Sequence, residues 1–207
     1  MADSMKYTLS TLVLINIFVL CGLAFGAQPL PSDPIYMRID HGWKGFYARN
    51  DEYLEYSIVG DKVKLQDAYH ALIKPGLGFM VTFAEKKNFG ADKDVLAAHR
   101  QWEVDYWRKN ARKVEVADRS DLRGIRSDIM VTELRIYGTN ADEVINIYQI
   151  AIASKDGVYV FAISPATQGI DEVVAAFIGS VTLVNKRFDV KEENDKIRRE
   201  IDAGVKQ

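Results

Sequence analysis

Residues 148–164 read "YQIAIASKDGVYVFAIS": two apolar runs joined at Asp156-Gly157, a pair that favours a tight reversal of the chain. In the second run Val158, Val160 and Ala162 alternate with Tyr159, Phe161 and Ile163. In the first, Tyr148, Ile150 and Ile152 alternate with Gln149, Ala151 and Ala153. A strand with one wet face shows polar residues at every second position. This hairpin almost never does, so both of its faces need cover. Burying a Phe or Ile side chain contributes about 1.5–3 kcal/mol, and a domain's net stability is only about 5–15 kcal/mol, so neither row can stay wet.

Outward from the hairpin, period-two alternation predicts strands over 35–39, 51–59, 77–85, 128–138 and 143–154, with a short last strand in "SVTLV" at 180–184. Leu54, Tyr56 and Ile58 share one face of the second of these, with Tyr53, Glu55, Ser57 and Val59 on the other. Helical spacing appears in three places. Leu65, Ala68, Tyr69, Leu72 and Ile73 form one stripe, stopped by Pro75 and Gly76, with an irregular strand pair as the alternative reading of the same segment. The segment 92–110 opens on Asp92 and Asp94 and closes on Arg108 and Lys109, as the helix dipole favours. Its stripe reads Val95, Ala98, His99, Trp102 and Tyr106. Ile170, Val173, Val174, Phe177 and Ile178 form the third. The expectation is an α+β domain: a three-layer α/β/α sandwich around a mainly antiparallel sheet, with helices covering both faces of the hairpin.

The order of these elements, with "AAHRQWEVDYW", then a meander, then "YQIAIASKDGVYVFAISPAT" and "FIGSVTLV", resembles the PsbP-like superfamily across residues 51–184. That group includes a photosystem II extrinsic protein, a Ran-GTPase-binding import factor and exported bacterial proteins. The resemblance implies an antiparallel sheet between helical layers. It brings no catalytic residues to positions of this chain, and members of the group do unrelated jobs.

The ends of the chain carry a different message. Lys6, an apolar run from Leu12 to Ala27 interrupted by Asn16, and small residues Ala24 and Gly26 have the order of a secretory leader cleaved before Ala27. Translation from Met5 would suit that leader better than Met1, because Asp3 weakens the basic end. Residues 1–26 are therefore expected to be a signal peptide, 27–34 an extended spacer, and 35–184 one globular domain. Residues 185–207 form a charged tail with Ile197, Ile201 and Val205 at helical spacing. The lone Cys21 lies in the leader, after Leu20 instead of a small residue, so neither lipidation nor a disulfide is expected. A periplasmic or secreted location follows from this reading.

The 207 residues carry 27 basic and 29 acidic side chains, a formal charge of −2, which gives no electrostatic reason to expect nucleic acid as partner. A membrane becomes a partner only with the leader kept as an anchor. His41, His70 and His99 lie far apart without a metal-ligand spacing. "GLG" at 76–78 precedes a strand, "GADKD" lacks a calcium loop's later Glu, and Ser180 has the wrong flanks for a nucleophile elbow. No catalytic set, metal or cofactor is expected. Glu103 and Asp105 read as a solvated helix face. The candidate binding residues are Trp43, Trp107 and Arg108, since Trp and Arg concentrate in interface hot spots. The expected function is a non-enzymatic binding or assembly module with an envelope protein as partner. A small-ligand or lipid carrier, or a hydrolase with a dispersed Asp/Glu/His site around Asp40 and His41, are the alternatives.

Overall fold

In the computed structural model the hairpin sits in the middle of a large sheet. The structure describes residues 33–49, 52–90, 94–138, 143–165, 169–184 and Arg199. The leader, Asp92, most of the spacer and the tail apart from Arg199 lie outside the described residues.

Strand β1 spans Ile35–Ile39, β2 Gly42–Arg49, β3 Glu52–Val59, β4 Lys64–Leu65, β5 His70–Lys74 and β6 Leu77–Glu85. Helix α1 follows at Val95–Asn110, then β7 (Lys113–Asp118), β8 (Ile129–Tyr137), β9 (Val144–Ala153) and β10 (Gly157–Ser164). Helix α2 (Ile170–Ser180) and β11 (Thr182–Val184) close the described core. These strands form a seven-stranded sheet in the order β4-β5-β6-β10-β9-β8-β7 and a four-stranded sheet in the order β1-β2-β3-β11. Neighbouring strands are antiparallel throughout. The fold is α+β and dominated by antiparallel sheet.

Register assigns the two faces of the hairpin. Tyr159, Phe161 and Ile163 stand opposite Ile152, Ile150 and Tyr148; Val158, Val160 and Ala162 stand opposite Ala153, Ala151 and Gln149. The aromatic face packs on Tyr47, Leu54, Tyr56 and Ile58 of the smaller sheet and on Val174, Phe177 and Ile178 of α2. Phe161 lies 4.7 Å from Phe177 and 4.9 Å from Tyr56, ring centre to ring centre. The small-residue face receives α1, through Leu96 against Val158 and Val160, and through Val104 and Trp107 beside Ala162, Met80 and Leu134. Every residue of β10 is buried. The hairpin is thus covered on both sides, although the aromatic side is covered by a second sheet together with α2 and not by helix alone. Tyr56 fits there because Gly45, its cross-strand neighbour on β2, leaves the space its ring fills.

Two expectations about local structure are overturned. The stripe from Leu65 to Ile73 is not a helix but the alternative, an irregular strand pair: β4 and β5 occupy it, and β5 pairs with β6 through Ala71–Phe79 and His70–Met80. The Asp67 carboxylate accepts from the backbone N–H groups of Tyr69 at 2.7 Å and His70 at 2.8 Å, which turns the chain into β5. Pro75-Gly76, read as a helix stop, is the reversal into β6, with Gly76 at φ +80°. Ala71 and Ile73 enter the core by alternation, and that long-range pairing outweighs the local helical period.

The buried face of α1 is also rotated from the expected one. Leu96, His99, Val104 and Trp107 are its buried residues, whereas Val95, Trp102 and Tyr106 are half-exposed. Asp94 is the N-cap, its side chain accepting from Ala97 N–H at 3.0 Å.

The borders of the larger sheet are short or charged. β4 has two residues, while β7 carries Lys113, paired with Glu115 at 2.5 Å, and Asp118.

Candidate functional site

Two constellations concentrate the polar chemistry of the described residues, one closed and one open. The closed one lies where α1 crosses β9. At about 100° per residue, Leu96, His99, Glu103 and Trp107 fall on one arc of the helix, with Glu103 near its centre. His99 is 0 % exposed and neither ring nitrogen has a hydrogen-bond partner. Its Nε2 is 3.8 Å from Glu103 Oε1. Phe89 and Trp102 flank the imidazole at 5.4 and 5.8 Å. Burial draws the His99 pKa down to about 4. Burial likewise pushes the Glu103 carboxyl up to about 7, opposed by hydrogen bonds from the side chains of Gln149 and Trp107. The Glu103 side chain retains 19 % exposure, so only its edge reaches water. A carboxyl and an imidazole perturbed toward neutral forms resemble an acid–base pair, but the imidazole is sealed from substrate. Glu103 is therefore not on a solvated face as its charge suggested.

The open constellation is the 119–128 loop between β7 and β8. Arg119 ties four carboxylate or phenol groups together. Its guanidinium donates to Asp121 at 2.9 and 3.1 Å, Glu133 at 3.2 Å, Asp171 of α2 at 2.8 Å, and the Tyr148 phenol oxygen of β9. The Tyr148 hydroxyl in turn donates to Asp171 at 2.8 Å. Arg119 holds the Asp121 and Asp171 carboxyls below the usual carboxylate range, and burial raises Tyr148. Farther along, Arg123 donates to the Ile129 carbonyl at 3.3 Å. Arg126 grips Asp128 at 2.6 and 3.0 Å and the Val181 carbonyl at 2.6 Å. The loop is thereby fastened to β8, β9, α2 and the start of β11. At its tip Gly124 adopts φ +60° and Ile125 stands fully exposed. Sequence reasoning passed this residue over. The available signal was "RGIR", one large apolar side chain in an otherwise polar loop.

The residues nominated from sequence are not brought together. Trp43 sits on β2, half-buried against the core between the sheets, with the Arg38 guanidinium 5.3 Å from its ring centre and its Nε1 buried without a partner. Trp107 lies across the larger sheet, 9 % exposed among Met80, Leu134, Ile136 and Ile147. The exposed position expected of it is occupied by no part of its ring. Arg108 is exposed, 3.8 Å from Asp105 one helical turn before it. Asp40 and His41 form the β1–β2 turn, His41 at φ +58°, and its Nδ1 lies 3.2 Å from Asp61 in full contact with solvent. His70 pairs with Asp67 at 2.8 Å. Among the described residues no group of three or more His, Cys, Asp or Glu converges as metal ligands, and no helix is long and apolar enough to cross a membrane.

A comparison with protein-family models and with curated proteins returns no match for this chain.

Proposed function

We propose that this chain is an exported, non-enzymatic binding or assembly module, a three-layer sandwich of PsbP-like type whose partner is a protein of the cell envelope. Export rests on the order of basic, apolar and small residues in 1–26. The observation that carries the binding reading is Ile125: a fully exposed aliphatic side chain at the tip of a loop pinned on both flanks by Arg119 and Arg126. A pre-organised apolar anchor loses little conformational entropy on docking, which is how a small contact yields useful affinity. The hydrolase alternative has one observation in its favour, the His99–Glu103 pair, and against it the closure of that pair beneath α1.

The test is retention of an envelope protein by the immobilised chain, compared with Ile125→Asp. The variant is expected to hold its partner at least tenfold more weakly at unchanged Tm. Equal retention by both proteins rejects Ile125 as the anchor.

A further inference from the structure

The smaller sheet has one border unlike the rest. Its strand order leaves β1 on one side and β11 on the other. β11 has three residues, and the borders of the larger sheet are short or charged. β1 is Ile35-Tyr36-Met37-Arg38-Ile39, five residues with a single charge, none of them fully buried. The Asp40-His41 turn that joins it to β2 is closed by Ile39 opposite Gly42. In a two-residue hairpin the closing pair exchanges both backbone bonds, and bonded pairs recur at every second position. Ile35, Met37 and Ile39 therefore bond to β2, which leaves the N–H and C=O groups of Tyr36 and Arg38 directed outward. Among the described residues no other backbone hydrogen bond reaches β1. An apolar border with open ladder groups is a template for a further strand.

We infer that this border pairs with β1 of a second copy of the chain, antiparallel, about a two-fold axis at Met37. Outward-bonding residues must meet outward-bonding residues, so an axis that uses Tyr36 and Arg38 falls at one of three positions. At Arg38 it sets two guanidinium groups face to face, which is destabilising. At Tyr36 it sets Arg38 opposite Pro34, which has no N–H to donate. At Met37 it sets Tyr36 opposite the partner's Arg38 and Arg38 opposite the partner's Tyr36, two bonded pairs with no like charges opposed. The Arg38 guanidinium already leans toward β2, 5.3 Å from the Trp43 ring centre, so its aliphatic stem is the part beside the partner's Tyr36. On the other face Met37 meets its own image, and Ile35 meets the partner's Ile39, an apolar row throughout. The result is one continuous sheet with four strands from each copy. Its outer borders are then the three-residue β11 of either copy, so the assembly closes as a symmetric dimer. This dimer goes beyond the proposed binding function and stands or falls separately from Ile125, whose loop belongs to the larger sheet.

The experiment is sedimentation equilibrium of the full chain, with hydrogen exchange at the Tyr36 and Arg38 amides. A concentration-dependent dimer is expected, with exchange at those two amides slowing as it forms. Met37→Lys and Met37→Glu each set like charges together at the axis and should weaken the dimer at least tenfold at unchanged Tm. Mixing the two variants in equal amounts should restore it at low salt. A chain that stays monomeric at millimolar concentration overturns the inference. So does a dimer that both variants leave intact, or one in which the Tyr36 and Arg38 amides exchange as fast as in the monomer.

Discussion

His99 and Glu103 respond to acid in opposite senses. His99 falls from its ordinary value of 6.5 to about 4 in the fold. Between those values the unfolded chain binds a proton there and the folded chain does not, so stability drops as pH falls through the window. Glu103 rises from 4.5 to about 7. Over that range the folded chain keeps a proton the unfolded chain has released, so stability drops as pH climbs. The windows overlap between pH 4.5 and 6.5, where the two slopes offset each other. Each single proton is worth at most about 1.4 kcal/mol per pH unit. Urea denaturation should therefore show a shallow profile for the wild type across this range. Glu103→Gln should lose stability toward acid, and His99→Leu should gain it. A shallow profile in Glu103→Gln would refute the assignment. Sequence alone hid this pair: a Glu at the centre of a helical arc marks the arc as wet, and only the approach of Gln149 and Trp107 from the protein side changes its meaning.

At the scale of elements the same Glu explains the rotated face of α1. With Glu103 counted as solvent-facing, the apolar stripe moves to Val95, Trp102 and Tyr106; the true contact runs through Leu96, His99 and Trp107. Replacing Trp107 by Ala should cost about 3–5 kcal/mol, as for large aromatic side chains deleted from cores. Trp102→Ala, at a half-exposed position, should cost less than half as much. Denaturant midpoints of the two variants decide, and a larger loss at Trp102 would contradict the packing. Both helices were legible from their spacing, and so were the strands with consistent alternation, β1, β3, β6, β8, β9 and β10, because burial on one or both faces leaves period two unbroken. At β5 the helical spacing outranked the strand-pair alternative because Pro75-Gly76, the reversal into β6, also suits a helix stop. β2 and β7 gave no reading: β2 has two glycines among its eight residues, and three of the six in β7 are charged. Ile125 was illegible as a site because its significance depends on Arg119 reaching Asp171, 52 residues away in sequence.

Across the whole molecule, the two sheets are fastened through one shared interior. Arg49 of β2 stacks 4.8 Å over Phe83 of β6, and the Ser154 hydroxyl beyond β9 donates to Glu52 of β3. Phe161 touches Tyr56, Phe79 and Phe177, which belong to the smaller sheet, the larger sheet and α2. Phe161→Ala should lower stability by about 3–5 kcal/mol. Near-ultraviolet and far-ultraviolet circular dichroism should follow a single common transition, because no sheet keeps its interior once that ring is gone. Two separated transitions would show that the sheets fold independently. The narrow and charged borders of the larger sheet have an effect on the molecule's company as well. A neighbouring chain that tried to add a strand beyond β7 would have to bring its backbone beside Lys113, Glu115 and Asp118, and beyond β4 it would find only two residues to match. Growth into fibrils by stacking copies along that sheet is thereby discouraged, even though its middle strands are among the most apolar in the chain.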